Sequence, residues 1–383
     1  MGEQRAGQYD VAGTGFVRAR AGVPAVPPGD AEEPLRLIDW ELAFKGIRAI
    51  TPAGPAIGRE QAQEVVDALR TASSRAYEPV ARTSGLHTPD GPETALVVDR
   101  PTWSRINLDS FAALIDPVVD GAARHGGRPM PGALARRLAG TATAGELTVL
   151  MSFLSTKILG QYDLAYDPAG HPRLLLVAPN IVQAERELGL DPQDFRLWVC
   201  LHEETHRVQF TAVPWLRGHL IERTRRIATD LMPRSDQILN RLNLVAKNAG
   251  AALRPGGAGL AELFLDEAQR AEVARIGAVM ALLEGHADVV MDEVGPQVVP
   301  TVEVIRRRFE SRRHEVTGLA AVVRRVLGLE AKMAQYRDGA AFVREVTSVV
   351  GLDGFNAVWH SPRTLPDAQE IRDPAAWIAR VHG

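Results

Sequence analysis

"LWVCLHEETHRVQF", residues 197–210, holds two histidines four positions apart, with two adjacent glutamates between them in a largely apolar run. On a helix, where each residue turns by about 100°, His202 and His206 share one face. Glu203 lies beside that face and Glu204 lies on the opposite side. Only Glu203 can therefore reach something bound between the two histidines.

Signals for the ends of this helix flank the stretch. Asp191 is the predicted N-cap, Pro192 takes the first helical position, and Asp194 stands where a capping box has its third residue. At the other end, Pro214 prevents much extension because proline lacks an amide donor. The sequence predicts a helix from residue 192 to about Phe210.

Neighbouring residues predict which way this helix faces. Phe195 and Trp198 fall on the side of the histidines, which places the pair in apolar surroundings. Cys200 and Arg207 fall on the side of Glu204, and we expect this to be the less buried side. We expect Cys200 to have a structural role only.

The spacing H-E-x-x-H is typical of zinc sites. Imidazole nitrogens at positions i and i+4 can bind one zinc ion, and the intervening glutamate can take a proton from zinc-bound water. We therefore predict His202 and His206 as metal ligands and Glu203 as the general base. The alternative is a pair of core histidines that hydrogen-bond to the backbone or to each other.

A zinc site needs a third protein ligand. The chain has Gln209 and Ala212 where the metzincin extension requires glycine and histidine, so that class is excluded. A better source is the apolar helix predicted over residues 266–292, in which Glu284 and Asp288 belong to an acidic stripe. Buried carboxylates need a cation or hydrogen-bond donors to offset their desolvation.

The order Glu-x-x-x-Asp after H-E-x-x-H is the gluzincin arrangement, in which the glutamate binds metal and the aspartate hydrogen-bonds the outer nitrogen of a ligand histidine. We predict Glu284 as the third ligand and Asp288 as that hydrogen-bond partner. His286 points about 200° away from Glu284 and is the weaker candidate. The alternative for Glu284 is an ion pair with a buried arginine such as Arg275.

Composition excludes several other functions. The 383 residues are 45% hydrophobic and carry a net charge of −3, so a large core is possible and a nucleic-acid partner has no electrostatic support. A single cysteine excludes an intrachain disulfide and a cysteine-based zinc cluster. Because we find neither an apolar run of membrane-spanning length nor a signal peptide, we expect a cytoplasmic protein without a membrane partner.

We predict a flexible N-terminal tail over residues 1–33 and a single domain over residues 34–383. Within the domain, residues 34–144 are mostly helical, residues 145–247 hold strands and the H-E-x-x-H helix, and residues 263–383 are helical and carry the third ligand. The predicted fold class is mainly α, of the α+β type, with a small sheet beside the H-E-x-x-H helix.

Local patterns predict the elements near that sheet. Residues 95–100 form a short strand, and two more short strands flank an Asp-Pro-Ala-Gly turn within residues 161–180. Asp109 is a predicted N-cap for the helix that follows it. Gly160 is the predicted end of an apolar helix over residues 145–160.

Four blocks of the chain resemble one family of zinc-dependent metallohydrolases of unknown function, over roughly residues 35–383. The resemblance implies a zincin-like fold with His202, His206 and Glu284 as zinc ligands and Glu203 as the general base. The block at residues 39–55 looks most like a branch of this family that is labelled as associated with biosynthesis of the deazaflavin coenzyme. This label implies no substrate. The blocks are DWELAFKGIRAITPAGP (39–55), HEETHRVQFTAVPWLR (202–217), LLEGHADVVMD (282–292) and KMAQYRDGAAFV (332–343).

We expect zinc-dependent hydrolysis of a peptide or other amide bond, with one zinc ion per chain and Glu203 passing the proton to the leaving amine. By the same resemblance, residues 173–180 (RLLLVAPN) are the candidate edge strand for an extended substrate, and the alternative is a core strand. Tyr336 is predicted to stabilise the oxyanion, with His219 and His360 as rivals.

Two rival functions remain open. The fold could serve as a metal-stabilised scaffold or partner-binding module without catalysis, or the site could hydrolyse a small coenzyme precursor. Changing Glu203→Gln separates the scaffold from the enzyme, and a closed pocket rather than a long groove would favour the small substrate.

Overall fold

Helices form most of the structure. The computed structural model describes residues 38–89, 91–125, 133–165, 170–231, 265–314 and 329–383, all within one compact unit, and the predicted tail of residues 1–33 lies outside them. Within these ranges, no helix is both long and apolar enough to cross a membrane. The described residues form eleven α-helices and a 3-10 turn at Asn356–Trp359. The helices are α1 (Trp40–Ile50), α2 (Arg59–Ser84), α3 (Arg100–His125), α4 (Ala133–Ser155), α5 (Ala178–Leu188), α6 (Pro192–Ala212), α7 (Pro214–Leu231), α8 (Glu267–Val294), α9 (Val302–His314), α10 (Leu329–Phe355) and α11 (Pro374–His382).

Three short strands form a mixed sheet in the order β1-β3-β2. The central strand β3 (Arg173–Val177) pairs in parallel with β1 (Leu96–Val98) and antiparallel with β2 (Gly160–Asp163). The predicted mainly helical fold with a small sheet is confirmed. The prediction that residues 173–180 form an edge strand is wrong, because β3 has a partner on each side and is buried beyond its first residue. The core-strand alternative is correct.

Helix α6 begins where the sequence predicts. The Asp191 carboxylate accepts a hydrogen bond from the Asp194 amide at 2.9 Å, and Pro192 takes the first helical position. The helix ends at Ala212, slightly beyond the predicted end and just before Pro214, the first residue of α7. The predicted N-cap is therefore confirmed.

The side of α6 that carries Glu204 is buried, so the prediction of a less buried side is wrong. Helix α2 packs along this side, and Glu204 and Arg207 are only 1% and 2% exposed. Arg207 Nη2 donates to Glu204 Oε1 at 2.5 Å, and the guanidinium lies over the ring of Tyr77. Cys200 is also fully buried here. Because the two charges pair with each other, a polar side can enter the core.

Helices α8 and α10 cross with their backbones in contact. A Cβ atom on Gly285 would lie 2.2 Å from the carbonyl carbon of Gly339, and one on Gly339 would lie 1.9 Å from the carbonyl oxygen of Ala281. Only glycine, which has no Cβ atom, permits this approach. The crossing holds in place the turn of α8 that carries Glu284.

Two predicted helix ends are wrong. Helix α3 is capped by Asp99 rather than Asp109, since the Asp99 carboxylate accepts a hydrogen bond from the Thr102 amide at 2.8 Å. Helix α4 ends at Ser155, and Gly160 instead opens β2. This second difference decides what lies beside α6, because it places a strand there instead of a helix end.

Candidate metal centre

Three side chains meet where α6 packs against α8. The Nε2 atoms of His202 and His206 are 3.2 Å apart. Glu284 places Oε2 at 3.5 Å from His202 Nε2 and Oε1 at 3.7 Å from His206 Nε2. All three side chains keep part of their surface exposed.

The spacing of these atoms suits a single metal ion. Zinc binds nitrogen and oxygen at about 2.0–2.2 Å, so two ligand atoms of a tetrahedral site lie about 3.3–3.5 Å apart. The observed separations of 3.2, 3.5 and 3.7 Å, the last two measured to different oxygens of Glu284, are close to this spacing. Two imidazole nitrogens and one carboxylate oxygen are also a donor set that zinc accepts. The three residues could therefore hold one metal ion.

The outer nitrogens of the two histidines have different neighbours. His206 Nδ1 lies 3.0 Å from Gln209 Oε1, and Gln209 Nε2 donates to the Leu283 carbonyl oxygen at 3.0 Å. His202 Nδ1 lies 3.2 Å from the thioether sulfur of Met291. A hydrogen-bonded partner on the outer nitrogen orients a ligand histidine, and here the clearer partner belongs to His206.

Glu203 is buried and, within the described ranges, has no hydrogen-bond or ion-pair partner. Its carboxylate lies against the start of β2, where a Cβ atom on Gly160 would be 2.5 Å from Glu203 Cγ and 2.6 Å from Cδ. Glycine at this position leaves the room that the carboxylate occupies. The side chain therefore lies between the histidine-bearing helix and an edge strand.

The charges in the site depend on one another. Burial alone would lower the pKa of His206, but the Glu284 carboxylate outweighs it and raises this pKa to about 9. Burial alone would raise the pKa of Glu284, but the two histidines hold it well below its ordinary value. Burial raises the pKa of Glu203, and the histidines offset only part of the rise. Without a metal ion, the site thus takes up protons in its place.

Residues 38–378 match the family of zincin-like metallopeptidases. The chain belongs to this family. It is also similar to a crystal structure from Chloroflexus aurantiacus, described provisionally as a hydrolase with a novel fold, with 30% sequence identity and a TM-score of 0.64. The similarity covers 90% of this chain and 99% of that one. No curated protein matches the chain.

In this zincin-like metallopeptidase, Arg275 does not pair with Glu284. Arg275 Nη1 instead donates to Glu272 Oε2 at 2.9 Å, and the arginine side chain is 58% exposed. The ion pair considered as an alternative role for Glu284 is therefore excluded. Glu284 faces the two histidines.

The structure does not bring Asp288 to either histidine. Its side chain is exposed, and in the described part of the chain no hydrogen bond joins it to His202 or His206, so its predicted role stays a prediction. His286 is buried, with Nδ1 at 3.0 Å from Gln209 Nε2. Burial, followed by the charge of His206, lowers the pKa of His286 to about 3, so this ring is neutral.

The oxyanion-stabilising residue also stays a prediction. Tyr336 belongs to α10, and its side chain lies outside the described residues. His219, on α7, accepts a hydrogen bond from Arg223 Nε at 2.9 Å and packs edge-on against Trp215. His360 follows the 3-10 turn and is exposed.

Three residues touch the site although the sequence did not predict them there. In the sequence, Gln209 stands out only as a departure from the metzincin pattern, although its position three residues after His206 places the two side chains together on a helix. Gly160 is interpreted as a helix end. Met291 contacts a histidine of another helix, and no local spacing indicates a contact between helices.

Proposed function

We propose that this zincin-like metallopeptidase is a zinc-dependent hydrolase of peptide or other amide bonds. His202, His206 and Glu284 hold one zinc ion, and Glu203 is the general base. The observation that carries the proposal is the convergence of three ligand atoms at the spacing of one zinc ion, beside a buried carboxylate without a partner among the described residues.

When bound, zinc polarises the substrate carbonyl and makes a water molecule more acidic. Glu203 takes the proton from the attacking water and delivers it to the leaving amine. Two features suit Glu203 to both steps. Burial raises its pKa towards the range in which one group serves as base and then as acid, and its oxygens are not already engaged within the described ranges.

Strand β2 is the proposed binding site for an extended peptide substrate. Its partner β3 occupies one edge, and in the described part of the sheet no strand occupies the other. Gly160, the first residue of β2, lies against Glu203. A peptide that adds to this edge would run past the general base, with main-chain hydrogen bonds holding it. The proposed substrate-binding strand is therefore Gly160–Asp163 rather than residues 173–180.

The second candidate is the hydrolysis of a small coenzyme precursor, which would need a closed pocket instead of a long groove. Both candidates use the same ligands and the same general base. They differ in what β2 must do, because a small precursor needs no strand pairing. The open edge of β2 is the reason for placing the peptide first. In either case Tyr336 is the residue we propose for the oxyanion.

Zinc content and one substitution test the proposal together. We expect about one zinc ion per purified chain by elemental emission, and cleavage of members of a peptide library that a chelator abolishes. Glu203→Gln keeps the shape of the side chain but cannot accept the proton. It should lower turnover by about 10²–10⁴-fold without changing the zinc content or the melting temperature.

Glu222→Gln is the matched control, because Glu222 is an exposed glutamate on the neighbouring helix α7, and it should retain full activity. A protein that binds no zinc after zinc is supplied would contradict the metal site. A cellular phenotype that requires zinc binding but persists in Glu203→Gln would contradict the enzymatic function. It would favour the scaffold function.

A further inference from the structure

One side-chain amide connects His206 to helix α8. Gln209 Nε2 lies 3.0 Å from the Leu283 carbonyl oxygen. A carbonyl oxygen can only accept a hydrogen bond, so Gln209 must present its NH₂ group to it. This contact orients the whole amide, and its oxygen then faces His206 Nδ1 at 3.0 Å.

The orientation of the amide sets the tautomers of two histidines. Gln209 Oε1 carries no proton, so His206 must donate from Nδ1, and in the neutral ring the unprotonated nitrogen is then Nε2, which faces Glu284 and His202. The NH₂ group of Gln209 also lies 3.0 Å from His286 Nδ1, which must accept. A neutral His286 therefore carries its proton on Nε2.

His286 is itself held by the C-terminal part of the chain. It is 2% exposed, and its ring packs against the rings of Phe355 and Trp359, each with centroids 5.4 Å away. The Trp359 carbonyl oxygen accepts a hydrogen bond from Trp215 Nε1 at 3.0 Å. Packing thus fixes the His286 ring, and the ring fixes the amide of Gln209.

We propose that Gln209 is a positioning residue that holds His206 in the Nδ1–H tautomer, with Nε2 available to a metal ion, and that His286 and the Leu283 carbonyl lock the amide. Such partners orient a ligand histidine and raise its basicity. The inference rests on the metal site proposed above. It assigns to Gln209 the task that the sequence predicts for Asp288.

Zinc dissociation constants, measured by competition with a chelator, test the proposal. Gln209→Leu removes every hydrogen bond of the amide and should raise the dissociation constant about 10–100-fold. Gln209→Glu keeps an acceptor for His206 Nδ1–H but loses the donor to the Leu283 carbonyl, so it should recover only part of the affinity. Asp288→Asn tests the competing assignment and should leave the affinity unchanged, and Glu293→Gln, at an exposed position of α8, is the matched control.

A second measurement needs no metal. Nitrogen NMR of histidine-labelled, metal-free protein, recorded over a series of pH values, reports which ring nitrogen carries the proton in the neutral ring. We expect Nδ1–H at His206 in the unsubstituted protein and a mixture of tautomers in Gln209→Leu. A residue that only supports the fold would leave this tautomer unchanged.

The outcomes separate this proposal from that of the metal site. Equal zinc affinity in Gln209→Leu, with a loss in Asp288→Asn, would overturn the role of Gln209 and leave the metal site intact. A protein without zinc affinity would contradict the metal site, and the tautomer measurement would still decide about Gln209. If Gln209→Leu does not fold, His286→Phe keeps the aromatic packing but removes the acceptor, and unchanged zinc affinity there would overturn the lock.

Discussion

Glu203 and Glu204 are neighbours in the sequence and both are buried, yet they lie on two faces of α6 with different chemistry. Glu204 forms an ion pair with Arg207, which donates hydrogen bonds to both of its carboxylate oxygens. Glu203 has no such partner among the described residues and lies beside His202 and His206. Burial raises the pKa of both carboxyls, and a permanent guanidinium charge offsets part of the rise only for Glu204.

The Glu204 face of α6 has a structural role, and the Glu203 face carries the groups that can exchange protons. A dedicated counter-ion offsets the desolvation of a buried charge and occupies its hydrogen-bonding capacity, so the charge is not available to a ligand. A buried carboxylate without one can exchange a proton, and a cluster such as His202, His206 and Glu284 can exchange protons for a metal ion. Changes on the Arg207 face should therefore affect stability, and changes on the histidine face should affect zinc and turnover.

The largest effect is expected on the structural face. Arg207→Met leaves the Glu204 carboxylate buried without its counter-ion, which should lower the free energy of unfolding by about 3–5 kcal/mol. Denaturant unfolding of the zinc-free protein measures this loss. The zinc content of the fraction that remains folded should not change.

The double change Glu204→Leu with Arg207→Met is the control for that experiment. Replacing both charges by apolar side chains removes the unpaired carboxylate, so most of the lost stability should return. If Arg207→Met lowers the free energy of unfolding no more than the double change does, an unpaired Glu204 carboxylate is not the cause of the loss. If Arg207→Met instead removes zinc at unchanged stability, the two faces are not separate.

On the histidine face, zinc affinity should depend strongly on pH. Because His206 has a pKa of about 9 without metal, zinc must displace at least one proton at neutral pH. The dissociation constant should therefore fall about tenfold for each pH unit between pH 7 and pH 9 and then level off. A flat profile over this range, measured by chelator competition, would contradict the charge coupling of His206 with Glu284.

The stability of the metal-free protein should change in the opposite direction. The raised pKa of His206 stabilises the fold fully below pH 6.5, and this contribution is lost as the pH rises through about 9. The lowered pKa of Glu284 contributes above its ordinary pKa of 4.5 and is lost as the pH falls. Thermal unfolding without zinc should show this cluster contributing most between pH 4.5 and 6.5.

A smaller effect is expected where β2 meets the general base. The Cβ atom of Gly160→Ala would overlap the Glu203 side chain, which should cost about 1–3 kcal/mol and displace the carboxylate. Turnover should fall more than zinc affinity. Gly218→Ala, at an exposed helical position with open space around it, is the control and should raise stability by about 0.5–1 kcal/mol. Unchanged turnover in Gly160→Ala would contradict the placement of Glu203.

The smallest effect is expected for Cys200, on the structural face. Burial raises the pKa of its thiol, so a thiol reagent should label the unfolded protein and not the native one. Cys200→Ala should cost about 1 kcal/mol and leave zinc affinity and turnover unchanged. A loss of zinc in this variant would show that the site extends through α6.

Local spacing predicts much of the helix that carries the site. Asp191 and Pro192 mark its start, and the period of the helix brings His202 and His206 together and separates Glu203 from Glu204. Local spacing does not predict the order of the strands in the sheet. The apolar run of residues 173–180 is typical of any buried strand, and its central place depends on β1, which comes from a distant part of the chain and pairs on the side opposite β2.

The sequence by itself determined the pairs that lie within one helix, because a helix has a fixed period and rise. The tertiary structure decided every contact between elements. It brought Glu284 to the histidines, placed β2 beside Glu203, buried the Glu204 face against α2, and oriented the Gln209 amide through the Leu283 carbonyl. These contacts depend on packing, which brings together residues that no sequence interval relates.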